Sequence, residues 1–215
     1  MIYLISGLGA DYRIFQNLDV GNHPTTFLPW VIPGKNESLE NYLLRFSEKI
    51  KKDEEIILIG VSFGGMVAVE LAKILPVKKV ILVSSIKIVD EMSWLFRFIR
   101  WSRLYKFVPY QLVKKRFKLL TYFYFGNKTP GERKIIDEMI RDTDIRVLDW
   151  SIRAIFDWTN KTVPENIYHI HGTRDRIFPV RCLQNVIPVK DGTHFMIANR
   201  GADVSKCVQT ILNND

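Results

Sequence analysis

Glu55-Ile56-Ile57-Leu58-Ile59-Gly60-Val61-Ser62-Phe63-Gly64-Gly65-Met66 decides how this chain is read. Residues 56–59 are a continuous apolar run of strand length. After Ser62 the period changes, and Met66, Val69, Leu71, Ala72 and Leu75 recur at helix spacing until Pro76 stops them. A buried strand turning directly into a helix is the context in which Gly60-x-Ser62-x-Gly64 carries chemistry. Small residues two before and two after the serine allow a strained turn that exposes Oγ above the sheet edge. The helix that follows points its N-terminal dipole and free N–H groups at the same spot, which favours a developing oxyanion. Ser62 is therefore a candidate nucleophile, with Gly65 adding room for close packing.

Outward from this junction the pattern repeats. Ile2-Tyr3-Leu4-Ile5 runs into Gly7 and Gly9 and reads as a buried strand ending in a tight loop, and Thr25–Leu28 is a second short strand stopped by Pro29. Ser38 opens a helix with Leu43, Leu44, Phe46 and Ile50 at helix spacing, and Lys79–Ser84 is another buried-type strand. Strand, helix, strand, helix, strand at these lengths means a parallel sheet with both faces covered. From Asp90 to about Thr159 there is no strand pattern. Helical patterns occupy roughly 91–107, 110–125, 130–142 and 144–158, and Thr129-Pro130-Gly131-Glu132 is a capping box. Strands resume at Asn166–Ile170 and Val186–Val189, before a terminal helix from about Ala202 to Leu212. The expectation is an α/β, doubly wound, mostly parallel six-stranded sheet formed by residues 1–89 and 160–215, interrupted by a helical lid or cap insertion over 90–159.

Composition narrows the class. With 215 residues, 47% hydrophobic and 25% charged, the chain is an ordinary globular domain, not a collagen-like, low-complexity or disordered one. Cys182 and Cys207 form no CxxC pattern and no disulfide framework, so no metal or redox role is expected. The N-terminal run, with no basic residues ahead of it, is too short for a signal peptide, which points to a cytoplasmic protein. The net charge of +8 belongs to one segment: Arg97, Arg100, Arg103, Lys106, Lys114, Lys115, Arg116 and Lys118 lie between Trp94 and Lys118 with no acid among them. Taking these eight from the 31 basic residues leaves 23, equal to the acidic count, so the rest of the chain is neutral.

A nucleophilic serine needs a base, and the base needs an orienting group. Of four histidines, His23 sits in a turn and His169 on a buried strand, where ordinary structural roles account for both. His171 ends that strand and is a candidate. The loop after it, Gly172-Thr173-Arg174-Asp175-Arg176-Ile177-Phe178-Pro179, offers the carboxylate of Asp175 at a strand's C-terminal edge. His194, in Asp191-Gly192-Thr193-His194-Phe195-Met196, follows the last strand.

The order Ser62, Asp175, His194 and the secondary structure between them resemble the α/β-hydrolase superfamily, in particular its small lid-bearing serine esterases and acyl-hydrolases. The resemblance spans nearly the whole chain. It implies that His194 is the base and Asp175 its orienting carboxylate. The family's first loop reads His-Gly-x-Gly and here reads Ser6-Gly7-Leu8-Gly9, so the resemblance implies an oxyanion hole from the backbone N–H groups of Leu8 and Phe63. Ser6 replaces the histidine that usually orients this loop. Two strands that the family carries ahead of the loop have no counterpart, hence six strands. A serine at the elbow argues against alkyl-enzyme chemistry of the dehalogenase type. No cofactor or metal is called for.

The implied reaction is cleavage of a carboxylic ester or thioester, with an apolar acyl or alkyl part, through an acyl-enzyme. Residues 94–125 hold twelve of the 26 aromatics, and Trp94, Phe98 and Trp101 are the candidate pocket residues. The basic aromatic segment also suits an anionic membrane surface or an acidic carrier such as an acyl-carrier protein, which would make the protein peripheral to a membrane; no nucleic-acid partner is expected. Arginines interrupt every apolar run there, excluding a transmembrane span. The alternative reading is a non-catalytic hydrolase-fold protein whose lid is the binding surface.

Overall fold

The computed structural model describes residues 1–107, 122–126 and 129–214. Six strands, β1 Ile2–Ile5, β2 Thr25–Phe27, β3 Ile56–Val61, β4 Val77–Val83, β5 Ile167–Gly172 and β6 Ile187–Val189, form one sheet in the order β2-β1-β3-β4-β5-β6. Every pairing is parallel.

The period-two geometry of a strand splits the apolar runs between two faces. Tyr3, Ile5, Ile56, Leu58, Val80 and Leu82 pack on one side, against α1 (Leu39–Ser47), α2 (Phe63–Leu71) and a helix of the insertion, Ile145–Asp157. Ile57, Ile59, Val61, Ile81 and Val83 pack on the other, against the C-terminal helix Gly201–Asn213 and a second insertion helix, Pro130–Asp142. Continuous apolar strands are what a sheet covered on both faces requires.

The insertion between β4 and β5 contains α3 (Trp94–Ser102), α4 (Pro130–Asp142) and α5 (Ile145–Asp157). Thr129 and Glu132 make the reciprocal capping box that starts α4. Ile136, Met139 and Ile140 of α4 and Trp150, Ala154 and Ile155 of α5 enter the two sheet clusters, so the described part of the insertion shares the core of the sheet. The helix expected over 91–107 is shorter: Arg103 adopts a left-handed conformation, φ 54°, and ends α3. The chain then turns Tyr105 inward, where it is buried and its hydroxyl donates to Asp157. Of the helix expected over 110–125, residues 122–125 are helical and 110–121 lie outside the described residues. Among the described residues no helix is long and apolar enough to cross a membrane.

Candidate active site

β3 ends at Val61 and α2 begins at Phe63, leaving Ser62 alone in the turn with φ 51° and ψ −119°. A non-glycine residue in this region is strained, and the surroundings fix it. The Ser62 N–H donates to the Val83 carbonyl at 3.0 Å, and the Ser62 carbonyl accepts from Ser85 Oγ at 2.6 Å and from the Gly65 N–H at 2.9 Å. The turn has no room for side chains two residues to either side of the serine. A Cβ at Gly64 would collide with the carbonyls of Ile5 and Ser6, and one at Gly60 would lie 2.6 Å from the Gly65 Cα.

Three loops at the C-terminal edge of the sheet converge on this serine. His194, from the loop after β6, places Nε2 2.9 Å from Ser62 Oγ and Nδ1 2.8 Å from Asp175 Oδ2. Asp175 lies in the loop after β5, and its Oδ1 accepts from the N–H groups of Ile177 at 2.8 Å and Phe178 at 3.0 Å. Asp175 and His194 are buried, and Ser62 is half-buried. A carboxylate only accepts, so His194 Nδ1 carries the proton and the Nε2 lone pair faces the serine hydroxyl. His171 does not reach the serine. Its Nε2 donates to the Phe178 carbonyl at 2.8 Å and lies 3.4 Å from Asp175 Oδ2, behind the carboxylate. His23 is exposed in its turn.

A cavity of about 370 Å³ opens over Ser62 and His194. Gly7 and Leu8 of the loop after β1 border it, and Leu95, Phe96, Ile99, Ile155, Phe156 and Phe125 supply apolar wall. The Phe125 ring lies 5.1 Å from the His194 ring. Phe63 follows the serine as the first residue of α2, where a helix leaves its N–H groups without intrahelical acceptors. Among the described residues no group of three or more His, Cys, Asp and Glu is placed to hold a metal ion, and both cysteines are free thiols.

A scan of the sequence against protein-family models found no match, and neither did a search of curated proteins. Solved structures do match. A thermophilic esterase from Thermogutta terrifontis aligns with TM-score 0.72 at 16% identity, over 98% of this chain and 88% of the esterase. A bromoperoxidase from Bacillus anthracis aligns with TM-score 0.70 at 14% identity over 99% and 91%, and polyneuridine aldehyde esterase with TM-score 0.67 at 16% identity over 99% and 98%. The chain has the α/β-hydrolase fold.

Within that hydrolase fold, the sequence-expected pocket residues on α3 need correction. Trp94, Phe98 and Trp101 are 73%, 51% and 80% exposed and line no part of the cavity. They share the outward face of α3, while Leu95, Phe96 and Ile99 turn toward the serine. A helix apolar on both faces gives a sequence reader no means of choosing between them. Two further residues have places that the sequence alone does not give. Ser6 is fully buried beneath the loop after β1, and Phe125 stands beside the histidine.

Proposed function

We propose that the protein is a serine hydrolase that cleaves a carboxylic ester or thioester with an apolar acyl or alkyl part. The observation that carries this reading is the hydrogen-bonded row Asp175–His194–Ser62 on a strained strand-to-helix turn, opening into an apolar cavity. In this reading His194 Nε2 takes the hydroxyl proton as Ser62 Oγ attacks the carbonyl carbon, and the imidazolium that forms is held by Asp175. The Leu8 and Phe63 N–H groups receive the developing oxyanion. His194 returns its proton to the leaving oxygen or sulfur, and a water, deprotonated by the same nitrogen, then cleaves the acyl-enzyme. The apolar wall takes the acyl or alkyl chain, and the helices of 90–159 act as its lid. The esterases of the same fold at low identity support this reaction class, while the bromoperoxidase likeness shows that the fold alone does not choose it.

A fluorophosphonate probe tests the reading. It should add once to the wild-type protein and not to Ser62→Ala, and His194→Ala should lower kcat for an activated ester at least ~10³-fold. Labelling at another serine, or turnover that survives Ser62→Ala, overturns it.

A second reading concerns the outward face of α3. Trp94, Phe98 and Trp101 form an exposed aromatic stripe with Arg97 beside it and Arg103 at its end, the pattern of a helix lying on an anionic lipid surface. This contact would bring an apolar ester to a cavity whose wall is the other side of the same helix.

A further inference from the structure

His169 and His171 sit two residues apart on β5, so both rings stand on one face of the sheet. Both are buried, and the acyl-transfer reading uses neither. They belong to a row of buried polar groups that ends at the candidate active site. Lys87 and Glu91, also buried, form an ion pair at 2.8 Å. The Lys87 ammonium also donates to the Gln184 carbonyl at 2.5 Å and lies 3.1 Å from His169 Nδ1. His169 Nε2 lies 3.2 Å from His171 Nδ1, and His171 Nε2 reaches the Phe178 carbonyl at 2.8 Å and faces Asp175 Oδ2 at 3.4 Å.

The two ends of this row fix the direction of every hydrogen bond in it. An ammonium only donates, so His169 Nδ1 accepts and its proton sits on Nε2. That N–H donates to His171 Nδ1, which places the His171 proton on Nε2 as well. At the other end the Phe178 carbonyl only accepts, and independently demands the same proton on His171 Nε2. Burial is the main cause that holds both rings neutral, pushing His169 down to about 2 and His171 below the usual imidazole range. A neutral ring has one N–H to place, so the tautomer is a real choice. The opposite choice would aim a lone pair at both the Phe178 carbonyl and the carboxylate.

We infer that His171, held as its Nε2–H tautomer from both ends of this row, is a positioning residue that orients the Asp175 carboxylate and the 175–178 loop beneath His194. The inference rests on the acyl-transfer reading for its kinetic consequence and on geometry alone for the tautomers. The titratable groups facing His171 are His169, Asp175, His194 and Glu91, and those facing His169 are His171 and Lys87. Without the His171 ring the Phe178 carbonyl loses its donor, and the loop whose Ile177 and Phe178 N–H groups hold Asp175 Oδ1 loses its fixed place.

The test joins ring-nitrogen NMR to kinetics on a small activated ester. In the wild type both His169 and His171 should read as Nε2–H from neutral to mildly acid pH, and Lys87→Met should leave His171 as Nε2–H, because the Phe178 carbonyl still accepts from that nitrogen. His171→Leu should lower kcat about ten- to a hundredfold with KM unchanged, as displaced supporting groups do. His171→Gln, whose amide nitrogen can stand near the imidazole Nε2, should restore most of the rate. Lys87→Met/His171→Leu should be no slower than His171→Leu, because both changes break one row. If Lys87→Met does not fold because Glu91 is left unpaired, Lys87→Met/Glu91→Gln removes the pair together. The inference falls if either ring reads as Nδ1–H in the wild type, or if folded His171→Leu keeps the rate. Turnover that survives Ser62→Ala would instead sink the acyl-transfer reading, and the tautomers would still decide the relay.

Discussion

The Trp30 indole N–H donates to the Ser6 hydroxyl at 3.1 Å, and that hydroxyl donates in turn to the Ala10 carbonyl at 2.8 Å. Trp30 is itself stacked on Phe46 and Phe63, with ring centroids 5.6 and 5.3 Å away. The loop carrying Gly7 and Leu8 is therefore braced from below by a fixed indole, and it passes so close to the elbow that a Cβ at Gly7 would stand 3.2 Å from the Ser62 Cβ.

Ser6→Ala should cost about 1–3 kcal/mol of stability, because it leaves the Ala10 carbonyl and the indole N–H without their buried partner. It should also lower kcat for a small ester more than it changes KM, since a looser loop weakens donors used only in the transition state. Trp30→Phe keeps the stacking, removes the N–H and should move kcat in the same direction. Chemical denaturation and steady-state kinetics read both effects. Unchanged kcat in both variants would mean that the loop does not serve the oxyanion.

Cavity size should set acyl length. Ile99→Trp fills wall space at a half-buried position, so kcat/KM for an octanoyl ester should fall at least about tenfold while that for an acetyl ester holds, in line with the 1–3 kcal/mol carried by each methylene in an apolar pocket. Equal loss on both esters would place the acyl chain elsewhere.

Acid should destabilise the fold well above the carboxylate range. His169 drops from 6.5 in the unfolded chain to about 2 in the folded one, chiefly through burial, so below pH 6.5 the unfolded chain binds a proton that the native state refuses. Its stability contribution is complete above pH 6.5 and is lost as pH falls toward 2, at roughly 1.4 kcal/mol per pH unit. Thermal unfolding from pH 7 to pH 5 should show Tm falling, and His169→Gln should flatten that slope. A flat wild-type curve over this range would show that the ring takes up its proton while folded.

Lipid contact can be separated from chemistry on α3. Replacing Trp94, Phe98 and Trp101 together by Ser should abolish binding to anionic vesicles and leave turnover of a small soluble ester intact, because none of the three lines the cavity. Wild-type binding should weaken with added salt, which screens the arginines. Arg103→Gly suits the left-handed backbone at the end of α3, so it should weaken vesicle binding without harming the fold. Binding to an acidic carrier protein but not to vesicles would reassign the face.

Strand positions, the elbow and the three residues that meet there were legible because each is dictated locally. Apolar runs mark β3 and β4, Gly60 and Gly64 mark the turn, and Asp175 and His194 follow strand ends. Boundaries were less legible: Arg103 has no local signal for its left-handed turn, which tertiary packing of Tyr105 explains. Phe96 and Trp101 look alike in sequence, and only the position of the sheet tells which faces the serine. His169 and His171 carried a readable sign in their spacing of two, which puts both on one strand face. Their link to Lys87 and Glu91 needed the fold.

α3 contains no buried residue, whereas α4 and α5 are anchored in the two sheet clusters by Ile136, Met139, Trp150 and Ala154. Lifting α3 draws Phe96 off Phe178 but removes no fully buried side chain of its own, while lifting either neighbour would pull buried side chains out of the core. Substrate traffic and thermal breathing should thus share one route, and the amides of residues 94–102 should exchange with solvent long before those of the helices beside them.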